Sequence, residues 1–392
     1  MSSEKIYDVV IYGASGYTGR LVAEYMTKQY PKGSGVTWAM AGRNADKLAQ
    51  VRDAIGAPAD TPIVVADSEN ADSINAMVDA TKVVCTTVGP YQLYGEPLVA
   101  ACAARGTDYV DLCGEPAWMR KMIDAHDAAA KKSGARIVFS CGFDSIPFDL
   151  GVFYLQENAK EKLGGAVPRV KGRVRGMEGK FSGGTAASFG ATMAAAAQDP
   201  SIIQLLQTPF ALTPGFEGPE QPAGAAPMLD ESLGMWVAPF IMATINTKNV
   251  HRTNHLLGNA YGADFVYDEM VITGPGEQGE QMANALASAN PMGDGEVPQP
   301  GEGPTKEERE SGNYDVLFLG ESADGKTIKV GVKGFEDPGY ASTSKMIAES
   351  AVCLTQEKAG TPGGITTPGA VMGMALIERL RTNAGISFEV EA

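Results

Sequence analysis

The sequence predicts an α/β protein: a doubly wound parallel sheet first, then an α+β unit whose sheet is mainly antiparallel. Three observations predict it. A short apolar run leads straight into a glycine triplet and a helical pattern. Strand and helix patterns then alternate as far as residue 150. Beyond that point strands of period two and a hairpin signal take over.

The first element is Tyr7 to Arg20, YDVVIYGASGYTGR. Val9, Val10, Ile11 and Tyr12 fit a strand buried on both faces. Gly13, Gly16 and Gly19 follow, and Leu21, Val22, Tyr25 and Met26 then share one face of a helix that Pro31 stops. Strand, glycine turn and helix are the setting of a dinucleotide-binding loop, here with GxxGxxG spacing. Gly13 turns the chain out of the strand, Gly16 lets backbone N–H groups reach a pyrophosphate, and Gly19 lets the helix lie close to the sheet. Ala14, Ser15, Tyr17 and Thr18 complete a loop at a helix N-terminus. Its unpaired N–H groups and about half a positive charge favour an anion there.

Further strands are expected at Val36–Ala41, Ile63–Ala66, Lys82–Val88, Tyr109–Cys113 and Ile137–Ser140. Helices are expected at Asn44–Ile55 with Asn44 as N-cap, Ala71–Val78, Leu98–Arg105 and from Pro116 onward. Ligands of such sheets bind outside the carboxyl ends of the strands. Those ends carry Asp67-Ser68, Val88-Gly89-Pro90, and Gly114-Glu115. Asp67 and Ser68 are placed to bracket the adenine, and Val88 to Pro90 to meet the nicotinamide ribose. For Asp67 and Glu115 a helix-cap or loop role weighs equally.

The end of the second strand selects the cofactor. A carboxylate there would accept from a ribose 2′-hydroxyl, but the sequence reads AGRNADKL, with Arg43, Asn44 and Lys47. A guanidinium binds a 2′-phosphate with two donors. NADP(H) is therefore the expected cofactor.

In the second unit, Arg169, Lys171, Arg173 and Arg175 alternate with Val170 and Val174 along one strand. Two readings stay open: the solvent face of an antiparallel sheet, or a docking stripe for an anionic partner such as an acidic carrier protein. Ser182-Gly183-Gly184-Thr185 precedes an alanine-rich helix that runs to about Gln198. Residues 208–234 and 274–312 read as long loops, the second with a short helix near Met282–Ala287. Asp324-Gly325 marks a hairpin between Tyr314 and Gly334, and Met346–Leu354 and Met372–Leu380 read as closing helices.

Composition sets limits. Hydrophobic content of 44% with 20% charged residues is that of a globular protein, and a net charge of −15 argues against nucleic acid as partner. The opening residues run directly into the first strand, and no window holds the ~20 apolar residues of a membrane span. The expectation is a cytoplasmic protein, compatible with peripheral membrane contact and with homo-oligomers. The five cysteines form no CxxC pair and read as reduced packing residues. His251 and His255 have i,i+4 spacing, but with no third ligand nearby they read as structural.

Together, YGASGYTGR, AGRNADKL, VGPYQLYGEPLVAACAARGTDYVDLCGE and SCGFDSIPFDLG resemble the saccharopine dehydrogenase-like oxidoreductases, and above all their trans-acting enoyl reductase branch. SGGTAAS, WVAPFIMATINT, DPGYASTSKMIAESAVCL and TTPGAVMG extend the resemblance over nearly the whole chain. The resemblance implies a Rossmann domain over residues 1–150, a substrate domain over 151–340 that closes on the nicotinamide, and helices over 341–392 that pack back on the first domain. The enoyl reductase branch supplies in trans the C=C reduction that a polyketide synthase lacks in complex-lipid assembly. The saccharopine-forming branch differs after its sixth strand, where this chain has Phe143-Asp144-Ser145-Ile146-Pro147, so saccharopine is not the expected substrate.

Reduction of a conjugated C=C needs a hydride at the β carbon, a donor for the enolate oxygen and a proton at the α carbon. Tyr91 and Tyr94 past the fourth strand, and Asp144 and Ser145 past the sixth, are the candidate catalytic residues; an aromatic wall and a helix cap are the competing roles. Three readings compete. One is an NADPH-dependent reductase of a lipid-linked or carrier-bound acyl group. The second is an NADP-dependent dehydrogenase of a small soluble substrate, and the third a non-catalytic cofactor-binding protein.

Overall fold

The computed structural model describes residues 5–179, 183–289, 301–356 and 361–392. The expectations placed on residues 1–4, on Ser182 and on 290–300 of the second loop lie outside the described residues. The strands in chain order are β1 (Tyr7–Tyr12), β2 (Trp38–Gly42), β3 (Ile63–Val65), β4 (Thr81–Thr86), β5 (Asp108–Val110), β6 (Arg136–Val138) and β7 (Arg169–Glu178). There follow β8 (Met228–Asp230), β9 (Met235–Pro239), β10 (Val266–Gly274), β11 (Asn313–Glu321), β12 (Thr327–Gly334), β13 (Gly364–Thr366) and β14 (Ile386–Glu391).

The first sheet has seven strands in the order β13-β6-β5-β4-β1-β2-β3, and every neighbouring pair is parallel. Its residues alternate between two cores. Val9 and Ile11 of β1 point into one, Val10 and Tyr12 into the other, and all four are buried. That two-sided burial is why β1 reads as a continuous apolar run. β13, beside β6, was not legible: a three-residue strand gives no periodicity.

The second sheet runs β14-β12-β11-β7-β10-β9-β8. Only β7 and β10 pair in parallel; the other pairs are antiparallel. The Asp324-Gly325 hairpin joins β11 to β12, with Gly325 at φ 82 and its N–H bonded to the Ser322 carbonyl at 3.0 Å. The helix Ile146–Leu163 bridges the two sheets. It starts just past β6 and packs on β11 so closely that a Cβ on Gly151 would strike the Phe318 ring. The helix Thr343–Gln356 packs on the first sheet. Its fully buried Glu349 accepts from the hydroxyls of Tyr25 (2.7 Å) and Tyr30 (2.6 Å) and pairs with Arg379 at 2.9 Å.

Three expectations change. The basic stripe of β7 is neither a solvent face nor a free docking surface. Arg173 is 1% exposed and pairs with Asp230 and Asp268 at 2.8 Å each. Arg169 pairs with Asp268, Lys171 with Asp230 and Glu321, and Arg175 with Asp315 and Glu391. Period two correctly marked the strand, but the neutralising carboxylates sit on β8, β10, β11 and β14, too far along the chain for a local pattern to reveal. Residues 208–234 contain β8. The stretch from 274 holds a full helix, Gly276–Ser288, and Lys306–Ser311 forms another. One glycine there serves close packing: a Cβ on Gly279 would land on the Gly274 carbonyl oxygen.

Candidate functional site

The site lies along the carboxyl edge of the first sheet. Gly13 leaves β1 at φ 92, and a Cβ there would sit 2.8 Å from Thr87 Oγ1 and Val88 Cγ2. A Cβ on Gly19 would fall on the Gly13 carbonyl oxygen, so the helix Tyr17–Gln29 can seat itself only with glycine there. Ala14 is buried, Tyr17 and Thr18 are half-buried, and Ser15 and Gly16 are exposed. Gly16 is the N-cap, and no side chain caps the helix. Its N-terminal N–H groups are thus left for a ligand, with only a weak constraint on Gly16 itself (Gly13 O at 3.3 Å from an added Cβ).

One strand over, Arg43, Asn44 and Lys47 are exposed past β2. Asn44 Oδ1 accepts from Lys47 N at 2.9 Å, the expected cap. The Arg43 guanidinium has no hydrogen bond or ion pair among the described residues. The buried Tyr12 hydroxyl lies beside Ser68, Asp67 and Arg43, which gathers the ends of β1, β2 and β3 at one place. Asp67 Oδ1 accepts from Glu69 N at 3.1 Å and shapes the turn after β3. An uncapped helix start behind a glycine cradle, and an unpaired guanidinium one strand away, fit the pyrophosphate and the 2′-phosphate of NADP(H).

At the other half of the edge, Gly89 and Gly114 are exposed beyond β4 and β5, and Val88 and Pro90 are half-buried. The Gly89–Pro90 and Asp144–Ser145 peptides are cis. Tyr91 does not face the cleft. It is 5% exposed, and its hydroxyl accepts from Leu112 N at 3.1 Å and donates to the Thr86 carbonyl at 3.4 Å. Its ring packs on Trp118 at 5.8 Å, so it ties the ends of β4 and β5 together from inside the wall. Tyr91→Phe should therefore leave the Leu112 N–H unpaired and cost about 1–3 kcal/mol in equilibrium denaturation. Single-turnover hydride transfer should stay at the wild-type rate. Tyr94 stands 42% exposed at the rim of the same short helix. Glu115, 3% exposed, accepts from the N–H groups of Tyr91 (3.0 Å) and Gln92 (2.8 Å) and caps that helix.

Ser145 is buried, and its hydroxyl accepts from Asn249 Nδ2 at 2.9 Å, which makes it a packing contact rather than a cleft group. Asp144 is different. It is only partly covered, yet its Oδ1 is closed off and has no hydrogen-bond partner among the described residues. A Cβ on Gly114 would sit 3.3 Å from its other oxygen, so the missing side chain leaves the carboxyl room at the cleft. Burial pushes this carboxyl up to about 7, because charge is disfavoured away from water.

Sequence reasoning missed Glu269 of β10, which is 1% exposed and lies within electrostatic reach of Asp144. It accepts from Asn246 Nδ2 and Tyr267 Oη at 2.9 Å each, and burial pushes it up to about 8. Asn246 belongs to the helix Ala243–Leu256, which is polar yet buried between the sheets. From that helix Asn249 reaches Ser145, and Thr253 donates to Asp149 at 2.5 Å. His251 and His255 of the same helix pack on Phe210 and Phe216 at 4.7 and 5.4 Å between ring centroids. The five cysteines are buried, and none is in a disulfide. Among the described residues no helix is long and apolar enough to cross a membrane.

The family model of the saccharopine dehydrogenase NADP binding domain matches residues 9–138. A Mycobacterium tuberculosis protein provisionally named a trans-acting enoyl reductase is 40% identical over 411 residues, covering 98% of this chain and 97% of that one. The trans-acting enoyl reductase of Mycobacterium bovis is 35% identical over 407 residues, 96% of each chain. Among solved structures, apo saccharopine dehydrogenase (L-Glu forming) from Saccharomyces cerevisiae matches with a TM-score of 0.54 at 11% identity, over 98% of this chain and 100% of that one. Homospermidine synthase from Legionella pneumophila, in complex with NAD, gives 0.55 at 10% identity, over 98% and 91%. At those identities the two structures attest the fold alone.

Proposed function

This chain belongs to the saccharopine dehydrogenase-like oxidoreductases, in their trans-acting enoyl reductase branch, and is NADP-dependent; from that premise we propose that it reduces the C=C bond of a 2-enoyl acyl group handed over by another protein. The observation that carries this reading is Asp144, a partly covered carboxyl whose closed-off Oδ1 has no partner among the described residues, and which burial pushes up to about 7, so that it still carries a proton in a good share of molecules near neutral pH, at the cleft beside Gly114.

Bound NADPH would supply the hydride that adds to the β carbon. The chain's own residues do the rest. The loop from Gly13 to Gly19 holds the pyrophosphate on the helix N-terminus. Arg43 holds the 2′-phosphate, with Lys47 one turn on. Asp144 gives its proton to the α carbon and leaves as carboxylate; Glu269, neutral nearby, limits the charge built up in the pocket. Tyr94 at the rim is the hydroxyl left to donate to the thioester oxygen.

The acyl group is best supplied on a lipid or a carrier protein, as the relatives' names suggest, and the protein then works in the cytoplasm or against a membrane surface. The β7 stripe no longer supports an acidic carrier, since its cations are neutralised within the sheet. The test is NADPH oxidation with a 2-enoyl thioester of a long acyl chain. We expect one NADPH consumed per saturated thioester formed. NADPH binding without turnover on enoyl thioesters, but with turnover on an amino-acid substrate, would overturn the reading in favour of a small-substrate dehydrogenase.

A further inference from the structure

In a protein of net charge −15, nine of the thirteen arginines are paired with a carboxylate. Arg52, Arg105, Arg120, Arg136, Arg169, Arg173, Arg175, Arg379 and Arg381 are all ion-paired. Arg252 is buried and bonds the carbonyls of Leu212 and Ile365 at 2.5 Å. Arg20, Arg43 and Arg309 make no ion pair among the described residues, although the Asp337 carboxylate lies within electrostatic reach of Arg309. Arg43 ends β2, and Arg20 lies in the first turn of the helix that follows the glycine loop. Arg309 comes from far along the chain, yet it reaches the same loop.

The route is a strap. After β10 and the helix Gly276–Ser288, the chain returns over residues 301–311 and crosses Tyr17, the first residue of the phosphate-loop helix. The Tyr17 hydroxyl donates to the Pro304 carbonyl and accepts from Arg309 Nη1 at 2.9 Å. The same Nη1 donates to the Pro304 carbonyl at 2.8 Å. A Cβ on Gly303 would lie 2.7 Å from the Tyr17 ring, so the strap backbone rests directly on it. The guanidinium carbons of Arg309 and Arg20 sit 5.8 and 5.7 Å from the ring centroid. Tyr340 meets the ring edge-on at 5.3 Å, and its hydroxyl bonds Thr185 Oγ1 at 2.8 Å.

The strap is built to hold this position. Thr305 and Glu308 form a capping box that fixes the short helix Lys306–Ser311. The Arg309 carbonyl accepts from Asp337 N at 2.8 Å, and Asp337 in turn accepts from Tyr340 N and Ala341 N. Nε and Nη2 of Arg309 have no acceptor among the described residues. A planar, half-buried guanidinium with two unused donor positions, held by the side chain of Tyr17, the first residue of an uncapped helix, suits a phosphate oxygen.

We propose that Arg309 is a cofactor-binding residue contributed by the chain of the second sheet, which grips the dinucleotide pyrophosphate beside the glycine loop, with Tyr17 as its positioning residue. The strap then couples cofactor binding to closure of the second sheet's side over the first. The inference rests on NADP dependence and not on the identity of the acyl substrate.

The test titrates the full chain with NADPH and with adenosine 2′-monophosphate, which carries the 2′-phosphate but no pyrophosphate. Arg309→Ala should weaken NADPH by about tenfold or more, the loss of one charge-assisted pair, and leave adenosine 2′-monophosphate at its wild-type affinity. Arg309→Lys should recover part of the loss. Tyr17→Phe, which keeps the ring and frees the strap, should weaken NADPH in the same selective way, and NADPH should protect residues 301–311 from proteolysis in the wild type but not in Arg309→Ala. NADPH affinity unchanged in Arg309→Ala would overturn the proposal. So would an equal loss for both ligands, which would mark Arg309 as a structural tie of the loop.

Discussion

Asp144→Asn is expected to slow enoyl reduction by about 10²–10⁴-fold, the usual worth of a positioned general acid, with NADPH affinity unchanged. The amide keeps the shape and loses the proton. The wild-type profile follows from the direction of the shift. The carboxyl must be protonated to act, burial holds it at about 7, and activity should be level below that and fall as pH rises through it. The ionisable groups facing it are Glu269, pushed up to about 8, and the Cys113 thiol, also raised by burial. Neither is ionised before Asp144, so Asp144 sets the first descending limb.

The same shift makes a second claim, in the same direction, on stability. An unfolded aspartate titrates near 3.8, whereas the folded Asp144 holds its proton to about 7. Between those values the native state binds more protons than the unfolded chain, so stability declines as pH rises above the unfolded value, and the decline is complete above the folded one. Asp111 and Asp149, also near 7, act in the same direction. Asp144→Asn should therefore flatten part of the thermal-stability loss between pH 5 and pH 8 while removing the reaction. A variant that kept its rate and its descending limb would move the proton donor elsewhere in the pocket.

The legible parts of this molecule are those whose causes are local. The glycine turn could be read because Gly19 answers to the Gly13 carbonyl within the same loop, and Gly13 to its own φ of 92. Asn44 could be read because its cap closes on Lys47. The parts that stayed hidden depend on distant partners. Glu269 has a partner within its own strand, Tyr267, but its place at the site comes from Asn246 and from Asp144 across the interface between the sheets. The helix Ala243–Leu256 has no apolar stripe to betray it, because Asn249, Thr253 and Arg252 are buried against Ser145, Asp149 and the carbonyls of other segments. Tyr91 stands at the expected place in the chain, but one short helix turns its hydroxyl inward, and a sequence does not show which way a ring faces. Strand periodicity in β7 disclosed the backbone and hid the charge balance for the same reason.

Arg43→Glu should reverse the cofactor preference, weakening NADPH by about 100-fold or more and leaving NADH equal or tighter. Two effects add. The guanidinium's pair of donors to the 2′-phosphate is lost, and a carboxylate now faces a dianion that it repels. With NADH, the same carboxylate can accept from the free 2′-hydroxyl, the arrangement in which an acidic residue ends the second strand. The fold should tolerate the change, since Arg43 is exposed and the Asn44 cap remains. The surroundings also leave room for the new role: Asp67 is engaged by the Glu69 N–H rather than by Arg43, so the substitution breaks no ion pair. Fluorescence titration with both cofactors, at matched salt, decides it. Raising the salt should narrow the wild-type preference, because exposed charges are screened over about 8–10 Å. An Arg43→Glu protein that still preferred NADPH as strongly as the wild type would assign the 2′-phosphate to Lys47 or to the strap. Arg309→Ala separates those two, because Arg309 at the pyrophosphate leaves adenosine 2′-monophosphate untouched.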